Sequence, residues 1–379
     1  MHILIISRSY PNRLNSVSGN FVQNQVEALA AHSALKIGVA GVYNVSLKVL
    51  KNPANIGKYG FYKKQHGNVS EYTYLYPVIP KMHKLNHSNK FRIWKGLIKK
   101  YIAENGKPDI IHLHTFEPGD IAIWCKKEYD IPYIVTEHTS LFYRNIEKYW
   151  HTELAFKTYE SSSYNIAVSK EACAFLEHKF KRKFHYLPNF VDTKRFDIGT
   201  NKGNIKHFIN VAYLEPVKNQ FMMIEAFHKA FHNDKNYELQ IIGYGSEEER
   251  LNNLIKQLEA TNIKLLGYVP QNEIVPYYQQ ANYFLLSSNI ETFGLVIIEA
   301  MSCGLPVLST DCEGPKSIII NDKLGKLSPV GDVDAYAQRL KELSKTDFDP
   351  LYIRQYTIDN FSYETLSDKL INIYRNFAG

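Results

Sequence analysis

The sequence predicts an α/β protein made of two doubly wound domains, and three observations lead to this prediction. Short runs of β-branched and other apolar residues recur along the whole chain. Between these runs, apolar residues repeat with helical spacing, as Met223, Phe227, Ala230 and Phe231 do. Strands that alternate with helices form parallel sheets covered on both faces. With 379 residues, the chain is long enough for two such domains.

We predict six strands in the first half of the chain and five in the second. They span residues 2–7, 35–41, 71–77, 110–114, 132–138 and 164–169, then 206–213, 237–243, 263–267, 281–288 and 306–310. The alternation stops at residues 187–192, where Pro188 and polar residues stand, and a surface loop is predicted at 199–204. We therefore expect an N-terminal domain over 1–192 and a C-terminal domain over 193–360.

The net charge of +7 conceals an uneven distribution. Residues 1–200 contain 28 Lys and Arg against 16 Asp and Glu, whereas residues 201–379 contain 17 against 22. This difference predicts that the two halves face different partners. No apolar run has the length of a membrane-spanning helix and the opening residues lack a signal sequence, so we expect a cytoplasmic protein. The four cysteines lack CxxC spacing, so we expect neither a disulfide nor a structural zinc site.

The densest group of chemically useful residues follows the predicted strand 281–288. Gly294 permits close approach of the backbone there, and the helix that it opens offers N–H groups and a positive dipole end to an anion such as a phosphate. Glu291 precedes this helix and Glu299 lies inside it, so two carboxylates bracket the anion site and can accept hydrogen bonds from sugar hydroxyls. The alternative is a buried helix in which a backbone donor satisfies Glu299.

This stretch resembles the retaining nucleotide-sugar glycosyltransferases of the GT-B fold, in particular glycosyltransferase family 4. Glu291 and Glu299 match the family's E-x7-E element in register, and the resemblance covers nearly all of residues 1–376. The further matching elements are Lys107-Pro108-Asp109-Ile110-Ile111-His112-Leu113-His114, Thr136-Glu137-His138, Leu187-Pro188-Asn189-Phe190-Val191-Asp192, Ile242-Gly243-Tyr244-Gly245, Phe293-Gly294-Leu295, the run from Glu299 to Val307, and Gly314-Pro315.

The resemblance implies two Rossmann-like domains that face a cleft, with a final helix at about 361–379 that crosses back to the first domain. It also implies that Glu299 holds the ribose hydroxyls of a nucleotide and that Glu291 holds the donor sugar. Backbone N–H groups near Gly294 and Leu295 are then expected at the phosphates. Recognition of the base is expected around Tyr268, largely through backbone groups.

Lys218 matches the lysine of the family's G-R-L-x-x-x-K-G element. The resemblance implies that it neutralises the leaving diphosphate, because such a leaving group needs a fixed cation or a metal. Tyr213 stands where the family has arginine and Ala212 where it has the first glycine, so half of the diphosphate clamp departs from the motif. Lys316 and Arg144 are candidates to replace the missing arginine.

In the first domain, the resemblance directs attention to Gly19 and His138. The Gly19 loop is expected near the donor phosphates, and His138 is expected to contact the donor sugar and the reacting groups. The alternatives are a plain turn at Gly19 and a histidine that caps a strand end. His112, His114, Glu137 and His138 also resemble a set of metal ligands, but the family motif explains the same residues. We expect no metal and no cofactor.

The sequence therefore favours a retaining, metal-independent glycosyltransferase that moves a hexose from a nucleotide-diphosphate sugar, with a UDP-sugar favoured. The acceptor is expected to be a glycan or a lipid-linked saccharide of surface polysaccharide assembly. Two alternatives remain, a non-catalytic nucleotide-sugar-binding subunit and a GT-B-fold epimerase. The sequence does not favour a serine hydrolase, because no G-x-S-x-G motif follows a predicted strand. It does not favour a dinucleotide dehydrogenase, because no G-x-G-x-x-G motif follows the first predicted strand.

The basic first domain also predicts a possible contact with an anionic membrane surface. Phe91, Trp94, Leu97, Ile98 and Tyr101 fall on one helical face and lysines flank them, so this helix could lie in a headgroup layer at the inner face of the membrane. In the alternative, the same face packs inside its own domain. No nucleic-acid partner is expected, because no recognised binding motif accompanies the charge.

Overall fold

The computed structural model describes residues 1–15, 18–47, 58–79, 82–199 and 203–378. The chain divides into two compact units. Unit 1 comprises residues 1–168, 173–187 and 366–379, and unit 2 comprises residues 169–172 and 188–365. Within the predicted loop at 199–204, residues 200–202 lie outside the described residues.

Unit 1 contains an eight-stranded sheet in the spatial order β3-β4-β2-β1-β5-β6-β7-β8. Only the pairing of β3 with β4 is antiparallel among the pairs described. All six residues of the central β1 are buried, as expected for a strand with helices on both faces. The strands are β1 (His2–Ser7), β2 (Lys36–Ser46), β3 (Gly60–His66), β4 (Val69–Val78), β5 (Ile110–His114), β6 (Tyr133–Glu137), β7 (Tyr164–Ala167) and β8 (His185–Tyr186).

Unit 2 contains a six-stranded parallel sheet in the order β11-β10-β9-β12-β13-β14. The strand order reverses between β9 and β12, which is where open α/β sheets bind ligands. Phe208, Phe227 and Leu239 belong to the hydrophobic core on this sheet. The strands are β9 (Lys206–Val211), β10 (Tyr237–Ile242), β11 (Ile263–Gly267), β12 (Tyr283–Leu286), β13 (Val307–Thr310) and β14 (Gly325–Ser328).

Helices connect most of these strands, and three helices follow the last strand. They are α1 (Asn20–Ala30), α2 (His83–Asn105), α3 (Gly119–Tyr129), α4 (Tyr149–Ser161), α5 (Lys170–Phe180), α6 (Gln220–Phe231), α7 (Glu248–Gln257), α8 (Val275–Gln280), α9 (Leu295–Ser302), α10 (Glu313–Ile318), α11 (Val333–Lys345), α12 (Pro350–Phe361) and α13 (Tyr363–Phe377). Among the described residues, none of the helices combines the length and apolar character needed to span a bilayer.

Each predicted strand overlaps an observed one, but the structure adds β3, β8 and β14. β3 is an antiparallel edge strand whose side chains are almost all exposed or half-buried, so it lacks an apolar run. β8 has only two residues, and β14 has four with half-buried residues in its middle. Short or polar strands of this kind give little signal in a hydrophobic pattern.

The apolar face of α2 packs inside unit 1. Trp94 is 2% exposed, and Leu97, Ile98 and Tyr101 are also buried. This face is therefore part of the core and does not lie in a headgroup layer. The structure favours the alternative interpretation of this helix.

The last helix, α13, packs into unit 1 through a buried tyrosine. Tyr374 is fully buried, and its hydroxyl lies 2.6 Å from Nδ1 of His112 in β5. Leu366, Leu370 and Ile371 of the same helix are buried as well. Residues that follow unit 2 in the sequence thus complete the core of unit 1.

Replacing Tyr374 with Phe should lower the free energy of unfolding by about 1–3 kcal/mol, because a buried ring nitrogen of His112 loses its partner. Urea unfolding monitored by fluorescence measures this loss. Tyr149 is 81% exposed, so Tyr149→Phe is the matched control and should change the free energy by less than about 0.5 kcal/mol. Equal unfolding midpoints for the two variants would contradict a structural role for the His112–Tyr374 contact.

Candidate active site

Lys218 and Glu291 form an ion pair at the point where the strand order of unit 2 reverses. Lys218 ends a short 3-10 helix that follows β9, and Glu291 lies in the loop that follows β12. The Nζ atom of Lys218 lies 2.6 Å from Oε2 of Glu291. The two side chains are only 22% and 15% exposed, so solvent screens this pair less than a surface pair. Two residues predicted separately from the sequence are therefore in direct contact.

Hydrogen bonds tie the two loops that carry this ion pair. The Ser287 hydroxyl donates to the carbonyl oxygen of Lys218 at 2.8 Å. The Asn289 N–H donates to the carbonyl oxygen of Val217, also at 2.8 Å. These bonds hold the two loops together, and the ion pair joins the side chains that the loops carry.

Gly294 caps the N-terminus of α9 in a left-handed conformation, with φ of 99°. A side chain there would be strained, and its Cβ would lie 2.8 Å from Cδ1 of Ile297. The same Cβ position is 3.6 Å from Cγ of Glu291, so the start of the helix adjoins the ion pair. Because the first N–H groups of a helix have no partner within it, Leu295 begins a set of backbone donors beside Glu291.

Glu299 is a buried carboxyl group within α9, only 4% exposed. It accepts hydrogen bonds from the Tyr278 hydroxyl at 3.0 Å and from Nε2 of Gln271 at 3.3 Å. Burial raises the pKa of Glu299 to about 7, although these two hydrogen bonds and the charge of Arg195 oppose the rise. Side chains thus hold this carboxyl group, in contrast to the backbone donor of the alternative interpretation.

Three tyrosines stand just beyond the carboxyl ends of β9, β10 and β11. The ring centroids of Tyr213 and Tyr244 are 5.3 Å apart, and those of Tyr244 and Tyr268 are also 5.3 Å apart. All three side chains are 40–49% exposed. Tyr213, at the position of the family's arginine, therefore contributes an aromatic surface with a hydroxyl group and no positive charge. Lys316, one candidate for the missing cation, pairs with Asp311 at 3.4 Å.

In unit 1, His138 is held between two rings. Its Nε2 lies 2.9 Å from Nδ1 of His114, and its ring centroid lies 4.3 Å from that of Phe21 in α1. Burial lowers the pKa of His138 well below the usual value, and it lowers the pKa of His114 to about 3. Both imidazoles are therefore neutral at physiological pH, so His138 offers a hydrogen-bonding ring without a positive charge.

Glu137 anchors the backbone on both sides of His138. One carboxylate oxygen accepts from the N–H groups of His138 and Thr139 at 2.9 and 2.8 Å. The other accepts from the Phe116 N–H at 3.0 Å and the Tyr159 hydroxyl at 2.6 Å. Glu137 therefore positions the strand end that carries His138.

Gly19 precedes α1 and brings the backbone close to the loop after β1. Its φ is 76°, and a Cβ atom there would lie 2.2 Å from the carbonyl oxygen of Ser9. Only glycine fits this approach without displacing the backbone. Gly19 thereby sets the start of the helix that carries Phe21 against His138.

The predicted site residues fall into two groups, one in each unit. Unit 2 contains Lys218, Tyr268, Glu291, Gly294, Leu295 and Glu299, and unit 1 contains Gly19 and His138. Tyr278 and Gln271 were not predicted from the sequence, because their spacing carries no signal, and no positioning role was predicted for Glu137 or His114. An acid at the end of an apolar strand was the available signal for Glu137. Among the described residues, no group of three or more His, Cys, Asp or Glu side chains is arranged to hold a metal ion.

Comparison with known proteins identifies the class. A family model described as "Glycosyl transferases group 1" matches residues 191–359, and one described as "Glycosyltransferase Family 4" matches residues 58–195. The solved structure of Anabaena HepE in complex with UDP has a TM-score of 0.76 and 16% sequence identity, and covers 100% of both chains. This similarity confirms the predicted GT-B fold.

Two relatives extend the comparison at the level of sequence. A probable sucrose-phosphate synthase of Thermosipho melanesiensis is 27% identical and covers 75% of each chain. A phosphatidyl-myo-inositol mannosyltransferase of Mycolicibacterium smegmatis is 24% identical and covers 74% of each chain. The chain belongs to the GT-B glycosyltransferases of the family 4 type, as its sequence motifs predict.

The raised pKa of Glu299 predicts a pH-dependent stability. Between about pH 4.5 and pH 7 the unfolded chain ionises this carboxyl group while the folded chain keeps it protonated, so the contribution of Glu299 to stability falls as pH rises. Glu299→Gln removes this contribution. Over the same interval, the variant's free energy of unfolding should decline by about 3 kcal/mol less than that of the wild type. Identical pH profiles in urea unfolding experiments would contradict the elevated pKa.

Proposed function

We propose that this glycosyltransferase is a retaining, metal-independent hexosyltransferase that uses a UDP-sugar and a glycan or lipid-linked saccharide acceptor. The observation that carries the proposal is the half-buried Lys218–Glu291 ion pair beside the N-terminus of α9. It combines a cation for a diphosphate, a carboxylate for sugar hydroxyls and helix N–H groups for phosphate oxygens. The UDP in the complex of the structural neighbour HepE supports the choice of nucleotide.

The donor is proposed to bind along unit 2. Glu299 accepts hydrogen bonds from the ribose hydroxyls, and the base lies near Tyr268, where backbone groups recognise it. Lys218 has three N–H donors, so its ammonium group can contact the diphosphate without releasing Glu291. Glu291 in turn orients the donor sugar over the leaving phosphate.

Transfer is proposed to proceed on the face of the sugar from which the diphosphate departs, with retention of configuration. Lys218 and the N–H groups at the start of α9 stabilise the negative charge that develops on the leaving group. These groups supply the positive charge that other enzymes obtain from a metal. The leaving phosphate helps to deprotonate the acceptor, and the neutral ring of His138 contacts the donor sugar by hydrogen bonding.

The acceptor is proposed to enter a cavity of about 840 Å³ in unit 1, beside the carboxyl ends of β1, β2 and β5. Phe91 and Trp150 supply aromatic surface there, while Lys90 and Asp120 supply polar groups. Rings and polar side chains together suit the apolar faces and hydroxyl groups of a saccharide. The relative named phosphatidyl-myo-inositol mannosyltransferase supports an acceptor attached to a lipid. A lipid-linked acceptor lies in a membrane, and we propose the cytoplasmic face as the place of the reaction.

Tyr213 in place of the family's arginine favours one rival function, a non-catalytic subunit that binds nucleotide sugars. A donor-turnover assay with UDP-sugars, with and without acceptor saccharides and in the presence of EDTA, separates the possibilities. We expect acceptor-dependent UDP release in EDTA, and a product whose anomeric configuration by NMR matches that of the donor. Binding without turnover would favour the subunit, and isomerisation of the sugar without acceptor would favour an epimerase.

Glu299→Ala and Glu291→Ala should affect UDP in different ways. Loss of the ribose contacts in Glu299→Ala should weaken binding of UDP and UDP-sugar alike by roughly tenfold to a hundredfold, as expected when about two hydrogen bonds are lost. Glu291→Ala should reduce turnover without weakening the binding of UDP, because its partner in the donor is the sugar and its removal leaves the charge of Lys218 to the diphosphate. Isothermal titration calorimetry measures both affinities. Wild-type affinity in Glu299→Ala would contradict the ribose assignment.

Lys218→Ala should lower the turnover rate by roughly a hundredfold or more, because one charged contact to a developing anion contributes about 2.7–4 kcal/mol. Lys264→Ala is a matched control, since Lys264 also pairs with a glutamate of unit 2, at 2.5 Å from Glu238, but is 54% exposed. The control should retain the wild-type rate. Equal rates for the two variants in a UDP-release assay would exclude Lys218 from the diphosphate site.

A further inference from the structure

A short exposed segment of unit 1 combines aromatic and basic side chains. We define the aromatic tip as Arg144, Ile146, Lys148, Tyr149 and Trp150. Tyr149 is 81% exposed, Trp150 is 55% exposed and Ile146 is 49% exposed. Among the described large apolar side chains, Tyr149 is the most exposed. Arg144 and Lys148 are exposed as well.

The aromatic tip is held by buried contacts on the side of the domain. Phe142 is fully buried, with ring centroids 5.2 Å from Phe116 and 5.1 Å from Phe180. Glu147 pairs with Lys179 at 2.6 Å, and both side chains are largely buried. The segment is thus anchored from within, so the exposure of its apolar side chains is a property of the folded domain.

The charges around the tip favour an anionic surface. Glu147 is the only acidic residue between residues 139 and 150, and Lys179 neutralises it. Arg144 and Lys148 therefore leave a net positive charge, and Nζ of Lys148 lies 4.9 Å from the centroid of the Trp150 ring. Tryptophan and tyrosine prefer the boundary between hydrocarbon and headgroups, and nearby cations are attracted to anionic lipids.

The tip also adjoins the cavity of unit 1. Trp150 belongs to the aromatic tip and also lines the cavity. His151 and Lys157 of the same helix line the cavity but lie outside the tip. A membrane that held the tip would therefore lie beside the cavity mouth. By contrast, the apolar face of α2 is buried and is unavailable for this role.

We infer that the aromatic tip docks unit 1 on an anionic lipid headgroup layer, with Tyr149, Trp150 and Ile146 entering the boundary region and Arg144 and Lys148 contacting lipid phosphates. The inference rests on the lipid-linked acceptor of the proposed function and specifies which surface meets the membrane. A protein partner is the main competing occupant. Docking on lipid has the better chemical match, because cations directly flank the exposed rings.

Flotation of the full chain with vesicles tests this inference. The probes are vesicles of mixed phosphatidylglycerol and phosphatidylcholine, compared with phosphatidylcholine alone. We expect binding to the mixed vesicles that weakens with salt. Arg144→Glu combined with Lys148→Glu should weaken binding by about thirtyfold, and Ile146→Ser combined with Tyr149→Ser by about tenfold or more.

A matched control is available in unit 2. Leu351 and Tyr352 are neighbours that are 71% and 37% exposed, so Leu351→Ser with Tyr352→Ser removes a similar pair elsewhere. This control should bind vesicles as the wild type does. The emission of Trp150 should shift to shorter wavelength on binding, and Trp150→Phe should abolish the shift, leaving the signals of Trp94 and Trp124. Thermal unfolding of every variant establishes that it is folded.

Several outcomes would overturn the inference. These are absence of vesicle binding at low salt, equal binding by tip and control variants, or equal binding to vesicles of phosphatidylcholine alone. Loss of a dimer in the tip variants, measured by light scattering, would assign the tip to a second copy of the chain. Affinity for UDP is measured separately, so a protein that binds UDP but not vesicles fails only this inference. One that binds vesicles but not UDP fails only the proposed donor.

Discussion

Parallel strands are joined by segments that carry the chain back to the amino ends of the strands. The loops that follow such strands therefore all lie at the carboxyl ends, on the same side of the sheet. In unit 2 this constraint brings Lys218, which follows β9, against Glu291, which follows β12. In unit 1 it gathers the segments after β1 and β5, together with the carboxyl end of β2, around one cavity. Residues distant in sequence meet because the strand order reverses between them.

Two buried glutamates, Glu137 and Glu299, have different roles because different hydrogen-bond donors surround their carboxyl groups. Glu137 accepts hydrogen bonds from three backbone N–H groups and a tyrosine hydroxyl, and it fixes a strand end. Glu299 has two side-chain donors, and burial raises its pKa to about 7. Burial raises the pKa of both groups, but the fuller set of donors makes Glu137 structural. Glu299 keeps acceptor capacity that suits a ligand with hydroxyl groups.

Hydrophobic periodicity was sufficient to predict eleven of the strands and the two α/β units, because buried strands carry apolar runs. It missed the polar edge strand β3 and the short parallel strands β8 and β14. The spacing of Glu291 and Glu299 located α9, but no pattern linked Glu291 to Lys218 or Glu299 to Tyr278, since those contacts depend on strand order. The burial of Trp94 could not be predicted from the sequence either, because an apolar stripe on a helix packs equally well in a protein core or on a membrane surface.

The contact between His112 and Tyr374 joins residues that are 262 positions apart. During synthesis, strands β1 to β8 of unit 1 leave the ribosome before strands β9 to β14 of unit 2, and α13, which belongs to the unit 1 core, follows them. Contacts of such high sequence separation form late, because a long chain segment must be closed before they are made. The core of unit 1 therefore stays incomplete while the second half of the chain is translated. That interval is when chaperones would find exposed apolar surface on this protein.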